Sequence, residues 1–481
     1  MLSSIEGHCT VGSSDCLTPR MKLSRVHGQA LVFFVVTVLA CLLVGIGVFN
    51  VGQTVSEKMR VTNTADAAAY SGAVWEARTL NFQAYVNRAM VANEVAIGQA
   101  VSIVSWVSYV QSVSQNLNNY LFWVPYLGGV LAKINDVLIK IVDALDVYVP
   151  IFIQGVDFLV NQILAPSQGV AHAAAIAAVP GVVSEVVKAN DPDSYVTNLS
   201  QGFMVAHLIK WNGLTKTYSG MDRERFKQVT MDSRDGFTRE RNWKLTLPWI
   251  PVDAPGDQIF PVFITSAKKR GGTDLVGLDE WRGVDTLGDH YGYWGKCSAG
   301  KISLPCWKSD YEARFGYGAA QVFDSQAGAS GDTGFHGNAP GENPRTYSQA
   351  MDGIDNLTEK GVGNVYSGLP KYRDIADLTD KNPTLRLPVE VAKGSASART
   401  SGNAGIGASR LQLNDCYAGK EISKLAEAEV YFKHPDTYAG YGSQFSRPEE
   451  IGSLFNPYWQ ARLIQPSATE KSLARLTKGK C

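Results

Sequence analysis

From Ala30 to Phe49 the chain carries no charged side chain, and fourteen of these twenty residues are Leu, Ile, Val or Phe. Twenty helical residues rise about 30 Å, the thickness of a bilayer's hydrocarbon core. The pattern predicts a membrane span in which Ala30, Leu31, Val32, Phe33, Phe34, Leu42, Leu43 and Phe49 meet lipid. A helical period then continues to about Leu121, with Trp75, Phe82, Tyr85, Met90 and Val91 interleaved with Glu76, Arg78, Arg88 and Glu94. One straight helix from Ala30 to Asn119 would reach about 135 Å, so breaks near Gly72 or Gly98 and a chain that folds back are expected. No charge lies between Glu94 and Lys133, yet Ser102, Ser105, Ser108, Ser112 and Gln115 recur at helical spacing opposite Val101, Val104, Trp106 and Val107. This predicts an amphipathic helix with an uncharged polar face, packed on the anchor's neighbours or lying at the membrane surface.

Leu127, Leu131, Ile134, Leu138, Ile141, Leu145 and Tyr148 alternate at spacings of four and three, a coiled-coil seam of about three heptads. It packs within the chain or against a second helix, which makes this region a candidate for homo-oligomerisation. Pro150 is expected to end or kink it. A second limb from Ile151 stops at Pro166, and an alanine-rich limb from Val170 to Lys188 is interrupted by Pro180. Beyond about residue 220 the texture changes to short, glycine-punctuated segments. Trp243–Leu247, Leu385–Val391 and Ala426–Phe432 alternate as half-buried strands do, and 324–370 reads as long loops. The fold class is therefore α+β: a tail over 1–27, an anchor over 28–52, a helical hairpin region over 53–219 and a β-rich domain over 220–481.

Charge adds orientation. Lysine plus arginine equal aspartate plus glutamate at 45 each, so no basic excess points to nucleic acid as a partner. Arg20, Lys22 and Arg25 precede the span, against Lys58 and Arg60 after it, which places the N-terminus in the cytoplasm and the bulk of the chain outside it. A cleaved secretory signal has a shorter apolar region and small residues at its end, whereas this run passes into Asn50, Val51, Gly52 and Gln53; a retained anchor is expected. Residues 1–20 are polar and precede Met21, which suits a short extension or a start codon placed upstream. In an oxidising compartment Cys297 with Cys306 is the local pair, and Cys416 with Cys481 follows by elimination, although four cysteines allow three connectivities.

The flanks of the span carry a resemblance. Gly28-Gln29-Ala30-Leu31-Val32 leads into the apolar run, and Asn63-Thr64-Ala65-Asp66-Ala67-Ala68-Ala69-Tyr70-Ser71-Gly72-Ala73 follows it. Together they resemble the N-terminal module of TadE/G-like Flp pilus assembly proteins, the TadG type in particular. Gly28, Gln29, Asn63, Ala65, Asp66, Ala67, Ala68, Ala69 and Gly72 match that pattern, and the stretch from Ser453 to Leu463 looks like one found in some longer members. The resemblance implies a bacterial inner-membrane protein that contacts pilus or secretion-machinery subunits and is not an enzyme. Where processed, pilin-like members have glutamate five residues after the glycine, this chain has Phe33, which speaks against cleavage after Gly28. The D-x-S-x-S metal motif of a von Willebrand A domain is missing as well. Read by chemistry alone, the alanines with Gly72 form a small-residue helix face that lets another helix approach closely.

The best candidate for chemistry is Asp274, Asp279, Glu280, Asp285, Asp289 and His290, which could hold a metal or supply an acid and base. Their spacing fits no ligand pattern, and a solvated acidic loop is the expectation. Gly316-Tyr317-Gly318 suits a tight turn or strand kink rather than a phosphate loop. No EF-hand, HExxH, P-loop or GxSxG motif occurs, and no catalytic residue, metal or cofactor is assigned. A pilus-assembly component is the leading reading, with a membrane-tethered enzyme or ligand-binding domain as the alternative.

Overall fold

The computed structural model describes residues 29–299, 302–328, 336–361, 363–394, 421–433 and 451–476. The helices begin with α1 (Gln29–Leu121), α2 (Leu127–Phe158), a π turn (Leu159–Leu164) and α3 (Ala165–Asn190). Short elements follow: β1 (Ser194–Val196), α4 (Asn198–Leu214), β2 (Thr215–Tyr218), α5 (Glu224–Asp232) and α6 (Gly236–Arg239). Next come β3 (Trp243–Pro248), β4 (Ile264–Val276), β5 (Glu280–Ala299) and β6 (Ile302–Phe323), then α7 (Ala339–Glu342), α8 (Pro344–Asp352) and β7 (Asp355–Asn356). The chain closes with β8 (Tyr372–Ile375), β9 (Thr384–Gly394), β10 (Glu421–Phe432), β11 (Trp459–Ile464) and α9 (Ala468–Leu476). The architecture is mixed helix and sheet, with a long apolar helix first and a β-rich part last.

The chain divides into two units, Met1–Met59 with Gly394–Ile422, and Arg60–Lys393 with Ser423–Cys481. In the first, the apolar side chains of α1 from Leu31 to Phe49 are exposed apart from the half-buried Ile46, and the stretch is long and apolar enough to cross a membrane. The hydroxyls of Thr37 and Thr54 donate to the carbonyls of Phe33 and Asn50, which satisfies polar groups within the helix itself.

In the second unit α1 is the central shaft. From Arg60 to Leu121 it runs without the predicted break, because both glycines serve as notches. A Cβ on Gly98 would lie 2.7 Å from the Trp281 ring, and one on Gly72 would lie 2.5 Å from Leu387 of β9 and 3.1 Å from Val183 of α3. Each glycine seats a bulky neighbour, and the packing outweighs its weak helix propensity. Pro150 does not end α2, and Pro166 and Pro180 lie inside α3, so the three predicted limbs are one helical path from Leu127 to Asn190. The π turn falls directly before Pro166, a local irregularity in the helical path where the proline removes an N–H. Pro150 is buried inside α2 together with Val149 and Ile153.

The predicted seam separates into two faces. Leu131, Leu138 and Leu145 are half-buried, whereas Leu127, Ile134, Ile141 and Tyr148 are exposed. Residues 324–370 contain α7, α8 and β7 rather than loops alone.

The main sheet has the order β3-β4-β5-β6-β7, antiparallel except for β6 with β7. Side chains alternate across β5. Trp281, Gly283, Asp285 and Leu287 face α1, while Val284 and Gly288 face α7, α8 and Asn343. Gly316 and Gly318 are mid-strand in β6 rather than in a turn. A Cβ on Gly318 would overlap the Ser105 carbonyl and Tyr109 amide of α1, and one on Gly316 would overlap Val113. The sheet thus offers the helix a floor without side chains. Of the predicted polar face, Ser102, Ser105 and Ser112 are buried on that floor, Ser108 is half-buried and Gln115 is exposed. Ser102 Oγ donates to Thr273 Oγ1 at 2.8 Å, and Tyr317 N donates to Ser112 Oγ at 2.7 Å.

A second sheet, β1-β9-β10-β11, also docks on α1. The Asn81 amide donates to the Trp459 carbonyl and accepts from its N–H, at 2.9 and 3.0 Å. Asn87 Nδ2 donates to the carbonyls of Arg373 and Leu454. Gln168 of α3 donates to Asn87 Oδ1 and accepts from Arg373 N, so α3 joins the same network.

Gly318→Ala is expected to destabilise the protein by about 2 kcal/mol or more, since backbone blocks the new methyl on the helix side. Gly181→Ala, at an open and exposed helical site, should be neutral or stabilising by up to about 1 kcal/mol. Denaturant unfolding of the two variants checks the contrast.

Candidate functional site

The acidic stretch is not a solvated loop. It forms the end of β4, the turn and most of β5, and Asp274, Glu280, Asp285 and Asp289 are buried. The reason is pairing. Asp285 lies between two cations: Arg241 donates to both carboxylate oxygens at 2.8 Å and Lys269 Nζ to Oδ1 at 2.5 Å, while Ser105 of α1 donates to Oδ2 at 2.7 Å. Burial alone would push the Asp285 carboxyl up, but Lys269 and Arg241 outweigh it and hold it below the usual carboxylate range. For Lys269 burial is the stronger influence and lowers its ammonium, against the opposing pull of Asp285.

The other carboxylates are held separately. Asp274 accepts from Arg234 at 2.6 Å and from the backbone N–H of His336. Arg223 donates to Asp279 at 2.9 Å, and Arg282 pairs with Glu280. Burial pushes the Asp289 carboxyl up. His290 points to the opposite face, with Nε2 2.9 Å from Asn343 Oδ1, because neighbours on a strand alternate. The six residues therefore do not converge, and among the described residues no group of three or more His, Cys, Asp or Glu side chains is placed to hold a metal ion.

Sequence reasoning missed Ser105, Arg241 and Lys269, the partners of Asp285. No spacing links them, because they come from α1, the segment after α6, and β4. It also missed two carboxylates inside the shaft. Glu94 accepts from Tyr366 OH at 3.0 Å and from Trp281 Nε1 at 3.3 Å, and burial pushes its carboxyl up to about 8. Glu76 Oε1 is 2.6 Å from His207 Nε2, while His207 Nδ1 faces the Arg386 carbonyl at 2.7 Å. Two acceptors flank this ring, so the Glu76–His207 contact requires one proton held between them. Beside the Asp285 cluster opens a cleft of about 310 Å³ whose lining includes Trp106, Phe237, Arg241, Trp243 and Lys269.

The predicted motif residues fall on the shaft. Ala65, Ala68, Ala69 and Gly72 are buried, Asp66 and Ala67 are half-buried and Asn63 is exposed. Gly28 lies outside the described residues, as do Cys416 and Cys481. Cys297 and Cys306 form a disulfide near the end of the β5–β6 hairpin, and Cys41 is exposed.

An apolar helix long enough to cross a bilayer continues directly into a buried small-residue segment. Residues 28–75 match the family described as "Putative Flp pilus-assembly TadE/G-like", so this N-terminal module is of the Tad type. No curated protein and no solved structure matches the chain.

Two outcomes follow. Asp285→Asn leaves two buried cations without their counter-charge and should cost about 3–5 kcal/mol, against under about 1 kcal/mol for the partly exposed Asp279→Asn. Glu94 keeps its proton in the folded state to about pH 8 but loses it near 4.5 when unfolded, so its contribution to stability declines as pH rises through that window. Glu94→Gln should therefore raise the thermal midpoint relative to the parent at pH 8.5 and change it little at pH 4.5, read by thermal denaturation at both values.

Proposed function

We propose that the chain is a non-enzymatic component of Flp-type pilus assembly or presentation, held in the bacterial inner membrane by the Ala30–Phe49 segment with its bulk on the far side from the cytoplasm. The observation that carries this reading is the Tad-type match over residues 28–75, which covers both the apolar segment and the small-residue motif. The Cys297–Cys306 disulfide supports an oxidising compartment for the β-rich part. Phe33, in place of the glutamate of processed pilin-like members, supports a protein that stays in the membrane rather than one that polymerises. Its partners are then membrane lipid and pilus or secretion-machinery subunits.

A second reading, a tethered ligand-binding domain, is favoured by the cleft at Trp106 and Phe237, whose volume is at the small end for ligand pockets. Deletion of the gene is expected to abolish surface fibres, and complementation with a Trp106→Ala, Phe237→Ala variant to restore them. Normal fibre counts in the deletion strain contradict the pilus reading; a stably folded cleft variant that fails to complement supports the second. A reporter active only outside the cytoplasm, fused after residue 240, should be active, and the fusion should remain in the membrane fraction.

A further inference from the structure

The first two-thirds of α2 are almost uncovered. Between Leu127 and Tyr148 the one buried residue is Gly128, which sits against the Phe122 carbonyl at the turn from α1. Most of the exposed apolar positions are ordered, with Ile139 and Val147 lying off the series. Leu127, Ile134, Ile141 and Tyr148 recur every seven residues, and Val130, Val137, Ala144 and Ile151 recur every seven in between. The series alternates in steps of three and four from Leu127 to Ile151, about three and a half heptads, after which Gly155 takes the next a position and Phe158 the next d. The first set occupies the a positions of a coiled coil and the second the d positions, with no charge at either. The half-buried Leu131, Leu138 and Leu145 are the flanking e positions and face this chain's own body, so they are not the centre of the seam.

We propose that copies of this chain associate through this outer seam of α2, as parallel strands of a coiled coil. The area suits it. The large side chains of the seam are 41–70% exposed, which leaves roughly 800 Å² of apolar surface per copy, about one side of a standard protein interface. Charge selects the arrangement. Lys133 and Lys140 are at g positions, and antiparallel pairing would set lysines against lysines, whereas parallel pairing sets them against the uncharged e positions of the other copy. Ile134 and Ile141 at a with Val130, Val137 and Ile151 at d, and no Leu at d, suit three or four strands rather than two. A lipid surface fits less well. Lys133, Asp136, Lys140, Asp143 and Asp146 give the segment a net negative charge, which anionic headgroups repel, and a period of 3.5 residues in most of the exposed apolar positions is a demand made by a facing helix rather than by a bilayer. The association extends to a named surface the homo-oligomer anticipated for the helical region, and it stands whether or not the protein serves a pilus.

The test uses the full chain in lipid nanodiscs. Its mass by native mass spectrometry should be that of three or four copies, and Ile134→Asp with Ile141→Asp should weaken association by about a hundredfold. Both isoleucines are exposed within one chain, so the variant's near-ultraviolet circular dichroism should match the parent's. In living cells a photo-crosslinking residue at Val137 should trap a second copy of the chain, and one at Asp143, off the seam, should not. A monomer at all concentrations overturns the proposal, as does an adduct at Val137 with a different protein or with lipid alone.

Discussion

The constraint on which this structure depends is the approach of α1 to the backbone of β5 and β6. Gly283, Gly316 and Gly318 remove the side chains that would keep a helix at ordinary distance, and serines at 102, 105 and 112 present hydroxyls short enough to enter the gap. A surface this close leaves no room for water, so every polar group in it must find a protein partner. The Asp285 cluster meets that demand. Arg241 and Lys269 bring two positive charges to one carboxylate, and Ser105 ties it to the helix. Its interior setting makes the pairing strong and the loss of one member costly.

The same device recurs along the shaft with different partners. At Gly72 the small-residue face receives Leu387 and Val183, and at Gly98 it receives the Trp281 ring. Between them Asn81 and Asn87 bind backbone of the β11, β8 and Leu454 segments, so side-chain amides take the place of a neighbouring strand. The segment that matches the Tad-type family ends at residue 75, within the shaft. Gly72 thus has a structural use in this chain, as the receiving site for Val183 of α3 and Leu387 of β9, and Ala65, Ala68 and Ala69 are buried on the same shaft.

Much of this was legible in the sequence, and the misses share a cause. Uncharged length identified the apolar segment, period 3.6 identified the helices, and local spacing identified Cys297 with Cys306. Alternation found β3, β9 and β10. It did not find β4, β5 and β6, because strands covered on both faces lose the polar–apolar alternation, and here they also bury Asp274, Asp285 and Asp289. A carboxylate reads as solvated until its cations are known, and these come from residues 44 and 16 positions away. Glycine in a helix reads as a break until its neighbour is known. On α1 polarity is even inverted: Glu76 and Glu94 are buried while Phe82 and Tyr85 are exposed. In each case a long-range partner reverses the local signal.

The central claim is that α1 from Arg60 onward is one uninterrupted helix whose small and polar residues collect the rest of the unit around it. Hydrogen exchange on the full chain, resolved along residues 61–118, tests it most directly. Amides throughout this stretch, including those around Gly72 and Gly98, should exchange together and only through global unfolding. Rapid exchange confined to either glycine, with slow exchange on both sides, would contradict the account.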